Sequence, residues 1–180
     1  MIKVNMGCGW RDFGRDWVHI DGGNYEHLDY YDIENLEFQD GTVDLIYASH
    51  LLEYMDRAEV RDVLAEWRRV LKPGGILRLA VPNFRVLAEL YTNGTIGLER
   101  VLGPLYGKMQ MTPDYTIYHR TTYDLASLKT LLTEAEFRDI ENYNWRDTEH
   151  ADFDDHSQAY IPHMDKENGV LISLNVECKR

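Results

Sequence analysis

Three features of the chain predict one α/β domain, residues 1–180, on a mostly parallel sheet. Short strand-like runs alternate with amphipathic helical runs along most of the sequence. The first run ends in a pair of glycines, as strands do where a ligand must approach backbone. A length of 180 residues allows one sizeable core and is too short for two ordinary domains.

Taken in order, Ile2-Lys3-Val4-Asn5-Met6 alternates and runs into Gly7-Cys8-Gly9-Trp10, and Trp17-Val18-His19-Ile20 ends in Asp21. Only about ten residues separate these strands, barely enough for a parallel crossover. The spacing predicts a loop or a single helical turn there, leaving one side of the glycine loop open. Leu28 to Asp32 reads as a short edge strand, and Gln39-Asp40-Gly41-Thr42 as a turn. Val43 to Ala48 is a buried central strand. Val60, Val63, Leu64, Trp67, Val70 and Leu71 recur at helical spacing until Lys72-Pro73-Gly74-Gly75 stops them. Ile76 to Val81 is the next strand and Arg85 to Tyr91 a helix. Residues 92–121, broken by glycine and proline, form an excursion over the ligand end of the sheet. Leu125, Leu128, Leu131 and Leu132 mark another helix. Phe137 to Trp145 and Val170 to Cys178 are the last strands, and 146–169 between them is a polar loop.

Composition narrows the partners. A formal charge of −12 argues against nucleic acid or an anionic membrane surface, which call for basic faces. No apolar run approaches the roughly 20 residues of a membrane span. Cys8 and Cys178 lie at opposite ends of the chain without metal-ligand spacing, the pattern of two free thiols in a reducing cytoplasm.

Chemistry concentrates where strands end. Glycines after the first strand and a carboxylate at the tip of the second suit a nucleoside-bearing cofactor, because the acid can accept hydrogen bonds from a ribose diol. Ser49-His50-Leu51-Leu52-Glu53 leaves the central strand at the same edge. His50 can titrate near neutrality, and Glu53, three residues on, shares its face in a helical turn. The plainer alternatives are a histidine capping the next helix and an acid favouring a helix N-terminus. Tyr118-His119-Arg120, at the end of the excursion, suits an anionic or hydroxylated substrate, against the alternative of a surface loop pinned by Arg120. The His150, Asp152, Asp154, Asp155 and His156 group matches no metal signature, so no metal is expected.

Several of these stretches, in order, resemble the class I S-adenosylmethionine-dependent methyltransferases, in particular the small type 11-like subset. Asn5-Met6-Gly7-Cys8-Gly9 resembles the family's glycine motif, and Asp21 stands at its ribose-binding acid. Asp32-Ile33 resembles the acid and apolar pair beside the adenine. Phe38 to Ile46 resembles the lead into the fourth strand, and Arg69 to Leu77 the helix-turn-strand signature. Leu128 to Phe137 resembles the late helix before an antiparallel strand pair. The resemblance implies a Rossmann-like sheet with an antiparallel last pair and S-adenosylmethionine as cofactor. Gly7, Cys8, Gly9, Trp10, Asp21, Asp32, Ile33 and Ser49 would hold the cofactor. His50 and His119 would serve as bases, with Glu53, Tyr118 and Arg120 toward a small-molecule or sugar-like acceptor.

The chain also departs from that pattern. No helix precedes the first strand, the first crossover is shortened, Trp10-Arg11 replaces a third glycine, and Glu136 stands where glycine often precedes Phe137. Trp10 is accordingly expected either on the cofactor or as a plug over exposed core. Rival readings are a non-catalytic cofactor-binding or interaction module and a nicotinamide-dependent oxidoreductase. The second lacks the Gly-x-Gly-x-x-Gly fingerprint. Exposed aromatics of the excursion suit a homodimer.

Overall fold

A computed structural model describes residues 1–180. Six strands form the central sheet: β1 (Lys3–Met6), β2 (Val18–Ile20), β3 (Val43–Ser49), β4 (Leu71–Pro82), β7 (Arg138–Asn142) and β10 (Ser173–Lys179). Their order is β2-β1-β3-β4-β10-β7. The first four run parallel, and β10 is antiparallel to both β4 and β7. The expected Rossmann-like sheet with an antiparallel end is therefore present.

One face of the sheet is apolar and carries two of the helices. Val4 and Met6 of β1, Ile20 of β2, and Ile46 and Ala48 of β3 join it, as do Leu77, Leu79 and Val81 of β4 and Leu174, Val176 and Cys178 of β10. They pack on α1 (Glu59–Val70) and α4 (Leu125–Glu134), through Val60, Val63, Leu64, Trp67 and Val70 of the first and Leu128, Leu131 and Leu132 of the second. The period-2 and period-3.6 patterns meet on this core. α4 begins in a capping box of Asp124 and Ser127. It ends with Glu136 left-handed at φ 63°, where Glu136 N–H reaches the Thr133 carbonyl and Phe137 N–H the Leu132 carbonyl. Glu136 thus occupies the conformation that glycine would take freely.

The opposite face is polar and aromatic, bearing Asn5, His19, Tyr47, Arg78, Asn175 and Glu177, of which the first five are buried. No helix connects β1 to β2. The shortened crossover is a loop held by His19, whose Nε2 accepts the Phe13 N–H at 2.8 Å, and it delivers Phe13 and Trp17 onto this face. The segment expected as a polar loop, 146–169, does much of the remaining covering. Phe153 stacks on Phe13 at 4.2 Å, and His150, 0% exposed, stacks on Tyr47 at 3.9 Å. Asp155 accepts the Tyr47 hydroxyl at 2.5 Å, and Glu149 pairs with Arg78 at 2.7 Å. The segment also contains β8 (Tyr160–Ile161), which pairs with β9 (Val170–Leu171). Polarity misled the reading because the sheet face it covers is itself polar.

Smaller boundaries also shift. Tyr30 makes a single bridge to Ile20 in place of the edge strand expected at 28–32. The expected strand 170–178 divides at Ile172 into β9 and β10. The 137–145 strand stops at Asn142, and Trp145 begins a short turn of 3-10 helix. The excursion comprises the end of α2 (Phe84–Thr92), α3 (Leu98–Tyr106) and a hairpin of β5 (Lys108–Thr112) with β6 (Tyr115–Tyr118). No helix is long and apolar enough to cross a membrane.

Candidate active site

Four parallel strands deliver their C-terminal ends to one edge, the place where open α/β sheets bind ligands. At the first end, Gly7 and Gly9 are left-handed, at φ 66° and 57°. A Cβ on Gly7 would lie 2.7 Å from a Leu51 methyl, whereas one on Gly9 would meet nothing within 4 Å. Gly7 therefore packs the loop against the turn after β3, and Gly9 leaves its backbone open. Asp21 sits beside them, nearly buried. One carboxylate oxygen accepts the Gly9 N–H at 2.8 Å and the other the Gly23 N–H at 2.7 Å. Each oxygen keeps lone-pair capacity for a further donor, such as a ribose hydroxyl. Met111, in β5, brings its terminal methyl within 3.7 Å of the Cβ position of Gly22, so the hairpin reaches over the carboxylate end of this cradle.

Other expected cofactor residues fall in different settings. Cys8 is buried with its sulfur 3.6 Å from His27 Nε2, and burial pushes its thiol up to about 12, so it is no thiolate. Trp10 is 67% exposed and stacks with Arg11, so it does not plug the core; Phe13 and Trp17 do that. Asp32 is exposed and caps its own turn, accepting from Glu34 N–H, Asn35 N–H and the Asn35 side chain. Ile33 packs on the edge of the core, and its carbonyl accepts the Trp67 indole N–H at 2.8 Å.

The turn after β3 carries the densest chemistry. His50 is left-handed, at φ 51°, an uncommon conformation outside glycine that clusters at functional turns. Its N–H bonds the Ala80 carbonyl at 2.8 Å, which fixes the turn on β4. A single helical turn, Leu52–Tyr54, then buries Glu53 to 1% exposure. The Glu53 carbonyl accepts the N–H groups of Arg120 at 2.8 Å and Thr121 at 3.3 Å, and this tie brings the end of the excursion into the site.

The side chains converge as a result. His50 Nδ1 lies 3.3 Å and His119 Nε2 3.8 Å from Glu53 Oε1. His119 Nδ1 is held at 2.9 Å by the Pro104 carbonyl. Neither Glu53 oxygen is aligned with a donor, and the hydroxyls of Ser49, Thr122 and Tyr123 are likewise buried without partners. Burial, only partly offset by a backbone hydrogen bond, pushes the Glu53 carboxyl up to about 8. Burial first, and then the neighbouring His156, His119 and Arg11, hold His50 well below its ordinary value. Both shifts favour the uncharged forms, a carboxyl beside an imidazole, over an ion pair.

His156 completes the cluster from the segment over the polar face, its ring 5.1 Å from that of His50. The sequence reading placed His156 only in an unmatched metal pattern, and no group of three ligating side chains has metal geometry. Ser173 was not foreseen at all; its hydroxyl lies 3.3 Å from His50 Nε2. Nothing local in the sequence marks it, since β10 reaches this edge only by pairing with β4. Arg120 points away into an exposed pair with Glu59 at 3.0 Å, and Tyr118 is half exposed.

A family model described as a methyltransferase domain matches residues 18–79. Among curated proteins, a probable methyltransferase, ltbC, of Aspergillus luteorubrus is 46% identical over 46 residues. That alignment covers 25% of this chain and 16% of the relative's length. A SAM-dependent methyltransferase from Archaeoglobus fulgidus superposes with a TM-score of 0.58 at 15% identity, covering 99% of this chain and 86% of that one. A Burkholderia thailandensis 1,6-didemethyltoxoflavin-N1-methyltransferase, solved with bound 1,6-didemethyltoxoflavin and S-adenosylhomocysteine, superposes with a TM-score of 0.55 at 12% identity, covering 99% of this chain and 70% of that one. Fold, glycine turn and family model agree. Residues 18–79 match a methyltransferase domain, and the chain as a whole has the fold of solved S-adenosylmethionine-dependent methyltransferases. The open Gly9 backbone, the Asp21 carboxylate and the unpartnered Ser49 hydroxyl are a donor and acceptor set that fits that cofactor.

Proposed function

We propose that this chain methylates a small-molecule or sugar-like acceptor at an oxygen or nitrogen, with His50 as the proton-accepting residue. The observation that carries the reading is the His50–Glu53 pair, a strained left-handed imidazole backed at 3.3 Å by a buried neutral carboxyl. The cofactor supplies an electrophilic methyl group, so the protein's own work is to align the acceptor and remove its proton. Gly7 to Gly9 and Asp21 would seat the cofactor, and Ser49 would face it from β3.

The protonation logic favours a base. A histidine already charged could not accept a proton, and burial keeps His50 neutral. The Ser173 hydroxyl donates to Asn175 Oδ1 at 2.8 Å, so in the resting arrangement His50 Nε2–H closes the 3.3 Å contact to Ser173. Base work at Nε2 needs the other tautomer, with the proton on Nδ1. A neutral carboxyl both donates and accepts, so Glu53 supports either tautomer without creating buried charge. His119, turned to the same carboxyl, is the second base candidate.

Size of acceptor is inferred from the hairpin. With Met111 over Gly22 and the excursion tied to Glu53, the edge is roofed, which suits a small molecule better than a polymer. The charge of −12 supports the same choice. Two buried free thiols, Cys8 and Cys178, suit a cytoplasmic setting.

The test is methyl transfer from methyl-labelled S-adenosylmethionine to a panel of hydroxylated and amine small molecules. His50→Asn keeps a residue that tolerates φ > 0 and removes the base. Turnover should fall roughly 10²–10⁴-fold while cofactor affinity holds within about twofold. An unchanged rate on the best acceptor would remove His50 from the mechanism.

A further inference from the structure

We infer that Arg11 is an anion-binding residue of the acceptor site, so the acceptor carries a carboxylate or phosphate beside the group that is methylated. The inference rests on the methyltransferase reading above and names its substrate class. Arg11 follows the glycine loop, with its N–H on the Cys8 carbonyl at 3.2 Å and its guanidinium over the Trp10 ring at 4.8 Å. Its Nε donates to the Asp154 carbonyl at 2.9 Å. That carbonyl lies two residues before His156, whose ring is 5.1 Å from His50. The cation is thereby fixed between the cofactor loop and the histidine cluster, and its charge contributes to holding both His50 and His156 neutral.

What it lacks is a counter-ion. No carboxylate lies within 4 Å of the guanidinium, although the chain holds 31 acids against 19 bases. The neighbouring acids are engaged elsewhere. Asp12 accepts the Gly14 N–H at 2.7 Å, Asp21 accepts from Gly9 and Gly23, and Asp154 pairs with Lys166 at 3.0 Å. Arg120, the cation expected from sequence to meet an anionic acceptor, is neutralised by Glu59. Beside Arg11, the imidazoles of His50, His119 and His156 are shifted below their ordinary value and the Glu53 carboxyl is raised to about 8, so none of them is favoured as a second cation. A planar guanidinium with its two Nη groups free is the donor geometry that carboxylate and phosphate match in pairs.

A carboxylate reaches such a site from two sources, the acceptor or the amino-acid end of the cofactor. Titration with S-adenosylhomocysteine, and then of the loaded protein with phenyl phosphate and benzoate, separates them. Wild type should take up the cofactor product, and the loaded protein should bind phenyl phosphate more tightly than phenol. Arg11→Met should weaken the anion by tenfold or more, leave S-adenosylhomocysteine within about twofold, and keep the wild-type melting temperature. Arg11→Lys should restore only part of the anion affinity, because it keeps the charge without the fork. If Arg11→Met instead loses S-adenosylhomocysteine tenfold and leaves phenyl phosphate unchanged, Arg11 holds the cofactor and the inference is overturned. Equal binding of phenol and phenyl phosphate also overturns it. Failure of wild type to bind S-adenosylhomocysteine would sink the functional reading itself, and this inference with it.

Discussion

Glu53 should make the protein less stable than its own glutamine variant at neutral pH. The carboxyl is 1% exposed, has no aligned donor on either oxygen, and is raised by burial from 4.5 to about 8. Between those values the folded chain binds a proton that the unfolded chain does not, so stability falls as pH rises through that window and levels off above about 8. At about 1.4 kcal/mol per unit, the approximately 2.5 units between 4.5 and pH 7 cost on the order of 3 kcal/mol. Glu53→Gln keeps the shape and cannot ionise, so it escapes that cost. At roughly 2–4 °C per kcal/mol for a chain of this size, its melting temperature should rise by roughly 6–12 °C at pH 7. Near pH 4.5 the two proteins should melt together. Thermal melts of both from pH 4.5 to 8.5 check the slope. A constant offset across that range would refute the burial argument. A glutamine variant that melts lower at pH 7 would show that carboxylate and imidazolium form an ion pair after all. Retaining so costly an acid beside His50 is what a stability-for-activity exchange looks like.

Three other perturbations follow from the geometry. Glu136→Gly should stabilise the protein by about 0.5–1 kcal/mol in urea unfolding, since glycine removes the left-handed penalty at the end of α4 and only the exposed 3.2 Å pair with Arg68 is lost. Gly9→Ala should cost about 1–2 kcal/mol of stability from its left-handed φ alone, yet weaken S-adenosylhomocysteine by tenfold or more in calorimetry, because its added Cβ would fill open space beside the glycine loop. Equal cofactor affinity would move the cofactor off Gly9. Tyr47→Phe should cost about 2–3 kcal/mol in chemical denaturation by stripping a buried carboxylate, Asp155, of its 2.5 Å donor.

Much of the fold was legible because it is written in local periodicity. The apolar runs that became β1, β3 and β4, and the leucine and valine spacings that became α1 and α4, contribute to one contiguous core, so pattern and packing agree there. The absence of a helix between β1 and β2 followed from spacing alone. Candidate residues on turns directly after strands, Gly7, Gly9, Asp21, His50 and Glu53, lie together because parallel strands deliver their ends to one edge. What stayed hidden depends on partners distant in sequence. Ser173 arrives by antiparallel pairing of β10 with β4, and His156 arrives on a segment whose polarity resembled a solvated loop. Asp32 and Arg120 carry suitable chemistry for their expected roles, but local capping and an ion pair with Glu59 decided where they point.

The missing crossover helix and the make-up of the site have a common cause. With α1 and α4 both on the apolar face, the sheet's other face needs separate cover, and the short crossover supplies just Phe13 and Trp17. The remaining cover comes from the segment between β7 and β10, which can lie on this face because Tyr47, Arg78 and Asn175 give it polar anchors: Tyr47 to Asp155, Arg78 to Glu149, and Asn175 to the Ser157 carbonyl at 2.9 Å. Those three anchors fix residues 149–157, and with them His156 against His50 and the Asp154 carbonyl against Arg11. The segment that covers the sheet therefore also forms one wall of the site. A change at Tyr47 or Arg78, both buried on the face opposite α1 and α4, should accordingly alter acceptor binding as well as stability. A helix in the usual place would have left the two separable.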